Sequence, residues 1–226
     1  MGGNSIKAVV FDLDGTLIDS APDLRAAINR MLAEQGRRGL GLGAVTAMVG
    51  DGVHKLVERA LAATANETPT GSEIAHSTRR FIDFYEGHGA DLTRAYAGVV
   101  EALKCLRGEG YALGICTNKP HRATCEILGA LDLEGYFSAV LGGDSLDGVR
   151  KPDPRHLLAA LERLGAASEN AVMVGDTEND VQAARGAGVP VIAVAFGYAK
   201  VPAAELGADA VIGHFDEVPD AIRRLA

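Results

Sequence analysis

The sequence predicts an α/β protein with a parallel-sheet core and a helical insertion after the first strand. Two observations lead to this fold class. Short apolar runs alternate with helical patterns over most of the 226 residues, which is typical of βαβ units. A long block of helical pattern then interrupts the alternation between the first strand and its successor. A chain of this length can form one domain with an insertion or two modest domains.

The insertion is predicted from the spacing of apolar residues in the first part of the chain. The first strand is expected over residues 7–12, and a helix follows from about residue 20 to Gly36, with Leu24, Ile28 and Met31 at helical spacing. Two more helices are expected over residues 53–63 and 72–86, separated by Gly- or Thr/Pro-rich loops. No strand is evident again before Tyr111.

From Gly98 the alternation of strands and helices returns and continues to the end of the chain. Helices are predicted over residues 99–107, 121–131, 154–164 and 178–185. Strands are predicted over residues 112–117, 139–141, 171–174, 190–195 and 210–212. This order predicts a continuous parallel sheet.

Composition excludes several classes of protein. A formal net charge of −8 without any basic run disfavours nucleic-acid binding. The longest apolar stretches are far shorter than the roughly 18–20 residues that a membrane-spanning helix needs. Residues 1–6 contain no apolar segment resembling a signal peptide, so we expect a cytoplasmic protein without a membrane anchor. Three cysteines without a C-x-x-C motif are expected to be small buried thiols.

Polar residues follow the predicted strands at three places. Asp12 and Asp14 end the first strand, Thr117 and Asn118 end the next, and a later strand ends in the segment 175–180. Because ligands of open α/β sheets bind outside the carboxyl ends of the strands, these side chains are expected to converge. Clustered carboxylates need a compensating cation, and Mg²⁺ prefers such oxygen ligands.

Four short motifs in this order resemble those of the haloacid-dehalogenase-like phosphohydrolases, and within them the phosphoglycolate phosphatase group. The motifs are D-L-D-G-T-L at residues 12–17, T-N-K-P at 117–120, K-P-D-P at 151–154 and G-D-T-E-N-D at 175–180. The resemblance covers nearly the whole chain. It implies a Rossmann-like catalytic core formed by residues 1–16 and 91–226, with a helical cap domain over residues 17–90.

The resemblance also implies roles for the core residues. Asp12 would be the nucleophile that accepts the phosphoryl group, and Asp14 would act as general acid and base. Thr117 and Asn118 would donate hydrogen bonds to phosphoryl oxygens, and Lys151 would supply positive charge to the transition state. As alternatives, the Asp-x-Asp-Gly segment could be a simple turn, Thr117-Asn118 a helix cap, and Lys151 a solvated charge.

Metal binding is implied in the same way. Asp176 would bind Mg²⁺ together with the Asp12 carboxylate and the backbone carbonyl of Asp14. Asp180 would lie behind these ligands and hold a metal-bound water or Lys151. It could instead serve mainly as part of a capping box that opens a helix.

The resemblance also implies that the insertion is a cap that closes over the site, so substrate specificity is expected there. Gly52 would allow close backbone approach to a small ligand, and His54, Lys55 and Arg59 could meet a substrate carboxylate. The alternative is that these are solvated charges on a helix.

The predicted function is therefore Mg²⁺-dependent hydrolysis of a small phosphorylated metabolite, with 2-phosphoglycolate as the favoured substrate, by a monomer or homodimer. Pyrophosphatase and sugar-phosphate phosphatase or mutase activities share all four motifs and stay open. Dehalogenase chemistry is disfavoured because it has no use for a carboxylate at Asp14. A non-enzymatic phospho-accepting receiver module is disfavoured by Asp14 and by the helical insertion.

Overall fold

The computed structural model describes residues 6–65 and 67–225. The segment on which the expectation of no signal peptide depends therefore lies almost entirely outside the described residues. Within the described part of the chain, no helix combines the length and the apolar character needed to cross a membrane.

The described residues form a six-stranded parallel sheet, a two-stranded antiparallel pair and helices around them. The strands are β1 (Ala8–Phe11), β2 (Ile18–Asp19), β3 (Arg94–Ala95), β4 (Ala112–Cys116), β5 (Ala139–Leu141), β6 (Ala171–Gly175), β7 (Val191–Val194) and β8 (Ala210–Ile212). The helices are α1 (Ala21–Glu34), α2 (Leu42–Thr46), α3 (Val53–Ala62), α4 (Gly71–Tyr85), α5 (Val99–Gly108), α6 (His121–Ala130), α7 (Pro154–Leu164), α8 (Glu178–Gly186) and α9 (Val218–Leu225). The main sheet has the order β5-β4-β1-β6-β7-β8.

The central strand β1 is buried on both faces. Val9 and Phe11 pack into one apolar layer, while Ala8 and Val10 pack into a second layer on the opposite face. Successive side chains of a strand point to opposite faces, so a strand covered on both sides becomes a continuous apolar run. This explains why the strands show no polar alternation in the sequence.

The helical insert comprises α1 to α4 and lies between β2 and β3. The antiparallel pairing of Ile18 with Ala95 and of Asp19 with Arg94 joins the two segments that connect the insert to the core. The buried carboxylate of Asp23, in the first turn of α1, accepts hydrogen bonds from the backbone N–H groups of residues 92 and 93 at 2.8 to 3.0 Å. Both connecting segments are therefore fixed to each other.

The predicted fold class is confirmed, and several elements were missed. Strands β2 and β3 have only two residues each, too few to show a period in the sequence. Helix α2 begins inside a segment that we expected to be a Gly-rich loop, and α9 was not predicted. The expectation of buried thiols is correct for Cys116 and wrong for Cys105 and Cys125, which are exposed.

Candidate active site

The candidate site lies at the carboxyl edge of the three central strands. Strand β1 pairs with β4 on one side and with β6 on the other. Asp12 follows β1, Thr117 follows β4 and Asp176 follows β6, so the strand order brings these three side chains to one edge. All three are at least nine-tenths buried.

Lys151 is the buried cation of this edge. Its Nζ atom lies 2.8 Å from Oδ1 of Asp12 and 2.6 Å from Oδ1 of Asp180. Burial lowers the pKa of the ammonium, but the two carboxylates more than offset this effect, so the pKa of Lys151 is higher than usual. Lys151 therefore carries a permanent positive charge next to the Asp12 carboxylate.

Three buried carboxylates form an acidic cluster. Ligand atoms of Asp12, Asp176 and Asp180 all lie within 4.8 Å of one another. Burial, with repulsion from Asp180, raises the pKa of Asp12 to about 6 despite the attraction of Lys151. Burial and repulsion from Asp180 and Asp12 also raise the pKa of Asp176 well above its usual value. A cluster with more acid than Lys151 can neutralise, made only of oxygen donors, fits a divalent cation.

Asp176 and Asp180 are held differently within the cluster. Asp176 accepts a hydrogen bond from the Thr16 hydroxyl at 2.9 Å and one from the backbone N–H of Tyr198 at 2.6 Å. In Asp180, Oδ1 contacts Lys151, and Oδ2 accepts from the backbone N–H and the hydroxyl of Thr177 in a capping box that opens α8. Both interpretations of Asp180 from the sequence, the partner of Lys151 and the helix cap, are therefore seen together.

Asp14 lies beside the cluster and faces other partners. Its carboxylate accepts from the Ser20 hydroxyl at 2.5 Å and from Nζ of Lys119 at 3.1 Å. Lys119 also donates to the Tyr85 hydroxyl at 2.8 Å, so this buried ammonium connects the core with α4 of the insert. The sequence motif contained Lys119, but our sequence interpretation gave it no role, because nothing in the sequence indicates that it turns toward Asp14.

Asn118 uses its side-chain amide within the protein. The Nδ2 atom donates to the carbonyls of Gly50 and Lys151, each at 2.9 Å. Its buried Oδ1 has no hydrogen-bond partner among the described residues. Asn179 also donates to the Gly50 carbonyl, at 3.3 Å, and to Asp51 at 2.7 Å. The two asparagines thus bind the loop before α3 to the carboxyl edge of the sheet.

Gly15 is required by the close approach of the backbone to the cluster. Its φ is +85°, and a Cβ atom at this position would lie 2.3 Å from Oδ2 of Asp176. Since any side chain would both strain the backbone and collide with a carboxylate, only glycine is compatible with this turn.

A family model for haloacid dehalogenase-like hydrolases matches residues 6–188 of the chain. The protein belongs to this family. The matched segment includes every carboxylate and lysine of the site described above. The acidic cluster of this hydrolase is thus a candidate metal centre, formed by residues within that match.

Several proteins are similar in sequence to this hydrolase over almost its whole length. It is 43% identical over 220 residues to a phosphoglycolate phosphatase of Cereibacter sphaeroides, covering 97% of this chain and 99% of the relative. It is 44% identical over 214 residues to the phosphoglycolate phosphatase of Caulobacter vibrioides, covering 94% and 89%. The crystal structure of a predicted phosphoglycolate phosphatase from Haemophilus somnus superposes with a TM-score of 0.90, at 32% identity over 96% of this chain and 97% of that one.

A cavity of about 310 Å³ separates the insert of the hydrolase from its core. On the core side it is lined by Asp12, Asp14, Thr117, Asn118 and Lys119. On the insert side the lining is mainly apolar and is formed by Leu24, Val49, Val53, Leu56, Phe81, Ile82 and Tyr85. Glu86, Arg122, Glu126 and Asp144 also line the cavity, so charged groups lie near α4 and α6 as well as at the sheet edge.

The insert residues singled out from the sequence occupy different places. Gly52 lines the cavity with a φ of +86°. His54 and Lys55 are exposed and are not among the described residues that line it, and Lys55 pairs with Glu58 at 2.6 Å. Arg59 is bound to Asp51 and to the carbonyl of Met48. His54 and Lys55 are thus solvent-exposed side chains on α3, while Arg59 is held within the insert.

Proposed function

We propose that this hydrolase is a Mg²⁺-dependent phosphoglycolate phosphatase that works through an aspartyl-phosphate on Asp12. One observation carries the chemistry: the buried Asp12 carboxylate lies at the floor of the cavity, 2.8 Å from the permanently charged Lys151. The substrate class is supported by the relatives named phosphoglycolate phosphatases, which match nearly the full chain at 42–44% identity.

In the first step an Asp12 carboxylate oxygen attacks the phosphorus atom of the ester. The bond between phosphorus and the ester oxygen breaks, and the leaving alkoxide takes a proton from the Asp14 carboxyl group. In the second step Asp14 takes a proton from water, whose oxygen attacks the phosphorus of the aspartyl-phosphate. The bond to Asp12 then breaks, which releases phosphate and regenerates the free carboxylate.

Lys151 and Thr117 would stabilise the transferring phosphoryl group. The Lys151 ammonium is fixed between Asp12 and Asp180, so it needs no reorganisation to face the developing charge. The buried Thr117 hydroxyl lies at the adjacent strand end. Asn118 could donate to a phosphoryl oxygen only after a rearrangement. Its side-chain amide would first have to break its hydrogen bond to the carbonyl of Gly50 or of Lys151.

Mg²⁺ would be held by the carboxylates of Asp12 and Asp176 and by the backbone carbonyl of Asp14, and it would neutralise charge between the acidic cluster and the phosphoryl group. Asp180 would not bind it directly, because its Oδ2 accepts three hydrogen bonds and its Oδ1 contacts Lys151, whereas each oxygen of Asp176 accepts only one. Asp180 would instead orient Lys151.

Residues 17–90 would form the cap domain, and residues 1–16 and 91–226 would form the catalytic core. The cavity between them has the size of a small ester, and the buried Lys119 that lines it would attract an anionic substrate. Gly52 would contact the substrate through its backbone. A direct substrate contact by His54 or Lys55 would require a rearrangement of α3, so we expect a small effect from replacing either one.

The test is phosphate release from 2-phosphoglycolate with Mg²⁺, compared with hexose phosphates, nucleotides and pyrophosphate at equal concentration. We expect 2-phosphoglycolate to have the highest kcat/KM and Asp12→Asn to abolish release. Asp14→Asn should accumulate phospho-enzyme, because hydrolysis then lacks its base. A clear preference for a hexose phosphate or pyrophosphate would contradict the substrate, and a phospho-enzyme that never turns over would contradict the enzymatic function.

A further inference from the structure

The start of α1 has an unusual pattern of hydrogen bonds. Ser20 stands directly before the helix, where a serine side chain commonly accepts a hydrogen bond from a backbone N–H of the first turn. Here the Ser20 side chain makes no such bond within the described part of the chain. Its hydroxyl donates to Oδ1 of Asp14 at 2.5 Å instead.

Tyr198 binds the backbone at the start of α1 instead. The Tyr198 hydroxyl oxygen accepts from the backbone N–H of Ser20 at 2.8 Å and from that of Ala21 at 3.0 Å. Its own proton is donated to Oδ1 of Asp19 at 2.6 Å. Because a phenol has one donor and can accept at two lone pairs, this buried hydroxyl is fully used at the start of the insert.

The backbone of Tyr198 is fixed to the acidic cluster. Its N–H donates to Oδ2 of Asp176 at 2.6 Å. A Cβ atom on the preceding residue, Gly197, would lie 2.3 Å from the Cβ of Asp176, so this segment is pressed against the cluster. Tyr198 therefore joins the candidate metal centre to the segment through which the chain enters the insert.

We propose that Tyr198 is a positioning residue that acts through Ser20 on Asp14. By binding the backbone N–H groups of Ser20 and Ala21, it fixes the start of α1 and so holds the Ser20 hydroxyl at hydrogen-bond distance from Asp14. The Asp14 carboxyl is then oriented from two sides, by Ser20 and by Lys119. This inference rests on the proposed role of Asp14 as general acid and base.

The variant that isolates the hydroxyl is Tyr198→Phe, which keeps the ring and the backbone N–H to Asp176. We expect Tyr198→Phe and Ser20→Ala each to lower kcat about tenfold with KM changed less than about twofold, the size of effect typical of one hydrogen bond to a charged group. Because both changes remove the same orientation of Asp14, kcat of the double variant should also be about tenfold below the wild-type value. Independent effects would multiply to about a hundredfold, which would overturn the proposal.

A second readout separates positioning from simple loss of stability. With p-nitrophenyl phosphate, whose leaving group needs little protonation, the water-activating role of Asp14 limits turnover. The fraction of enzyme carrying a phosphoryl group in the steady state should therefore rise in Tyr198→Phe and in Ser20→Ala. A partly unfolded enzyme would lose activity without this rise, and an unchanged phosphorylated fraction would overturn the proposal.

The matched control is Tyr111→Phe, because Tyr111 precedes β4 at the opposite end of the sheet and is only half-buried. It should leave kcat and the phosphorylated fraction at wild-type values. If the wild-type protein releases phosphate neither from 2-phosphoglycolate nor from p-nitrophenyl phosphate, the proposed function fails. If the wild type releases phosphate and Tyr198→Phe has the same kcat and the same phosphorylated fraction, only the role of Tyr198 fails.

Discussion

Lys151 and Asp180 form an ion pair at 2.6 Å in which both side chains are almost completely buried. The pair fixes the Lys151 ammonium next to Asp12. The other carboxylate oxygen of Asp180 accepts a hydrogen bond from the backbone N–H of Thr177 and so caps the start of α8. One acidic side chain thus connects the helix after β6 with the charge that lies next to Asp12. This coupling makes Asp180 a sensitive position although it is not expected to touch the substrate.

Replacing Asp180 should therefore reduce both stability and activity. Asp180→Asn keeps an oxygen for the capping box but removes the negative partner of Lys151, and we expect a loss of about 1–3 kcal/mol in the free energy of unfolding. Asp180→Ala, which also removes the cap, should cost about 3–5 kcal/mol. Urea unfolding measures both values. Equal losses for the two variants would contradict a separate contribution from the cap.

The acidic cluster predicts how stability depends on pH when no divalent cation is present. Burial and repulsion from Asp180 raise the pKa of Asp12 from 3.8 to about 6, so the folded state binds a proton more tightly than the unfolded state. The resulting stabilisation is complete below about pH 4 and is lost as the pH rises through about 6, with an upper limit near 3 kcal/mol. The pKa of Asp176 is also raised, so this carboxylate likewise stabilises the folded state more at low pH than at high pH.

Urea unfolding with a chelator should show this decline between about pH 4 and 6, and Asp12→Asn should flatten it. If the cluster holds Mg²⁺ as proposed, the ion would bind its deprotonated form, so adding Mg²⁺ should stabilise the protein mainly at the upper end of this range and release protons. Stability that increases with pH over this range in the wild type, but not in Asp12→Asn, would contradict the raised pKa.

Lys119 should matter for turnover, because it contacts the Asp14 carboxylate and the Tyr85 hydroxyl and lines the cavity. Lys119→Met keeps most of the side-chain volume and removes the charge. We expect kcat/KM for 2-phosphoglycolate to fall by at least about tenfold, the loss typical of one charge-assisted hydrogen bond. The exposed Lys104 provides the matched control, since Lys104→Met should leave both kinetic constants unchanged.

The bonds from Asn179 to the loop before α3 predict an effect on substrate binding. Asn179→Ala removes the donors to Asp51 and Gly50, which hold this loop against the sheet edge. We expect KM to rise by about three- to tenfold with a smaller change in kcat, since the reacting groups stay in place. Gln182→Ala on the same helix, which removes only an exposed bond to Glu178, should behave as wild type. A fall in kcat at constant KM would contradict this assignment.

The strand ends were predictable because they depend on local pattern. Apolar runs followed by Asp12, Thr117 and Asp176 could be identified without tertiary information, and the parallel order of strands brings their ends together. The helix over residues 154–164 and the strands over residues 139–141 and 210–212 were predicted with the bounds that the structure has.

Contacts between distant parts of the chain were not predictable in the same way. Tyr198 contacts Ser20 across 178 positions, and Lys119 contacts Asp14 across 105. No periodicity indicates such a partner, and a lysine or tyrosine after a strand is as compatible with solvent as with a buried carboxylate. The exposure of side chains on α3 was also not predictable from residue type: His54 and Lys55 suggested a site for an anion, and both are exposed to solvent.

The pairing of Ile18 with Ala95 and the bonds of Asp23 to the returning segment have a consequence for how such proteins diversify. The chain leaves and re-enters the sheet domain at neighbouring points, so the intervening stretch can be exchanged as one contiguous piece of gene without displacing Asp12, Asp176 or Lys151. For engineering, a helical insert grafted at these junctions from another member of the family would have to keep a hydroxyl at Ser20, which binds Asp14, and one at Tyr85, which binds Lys119.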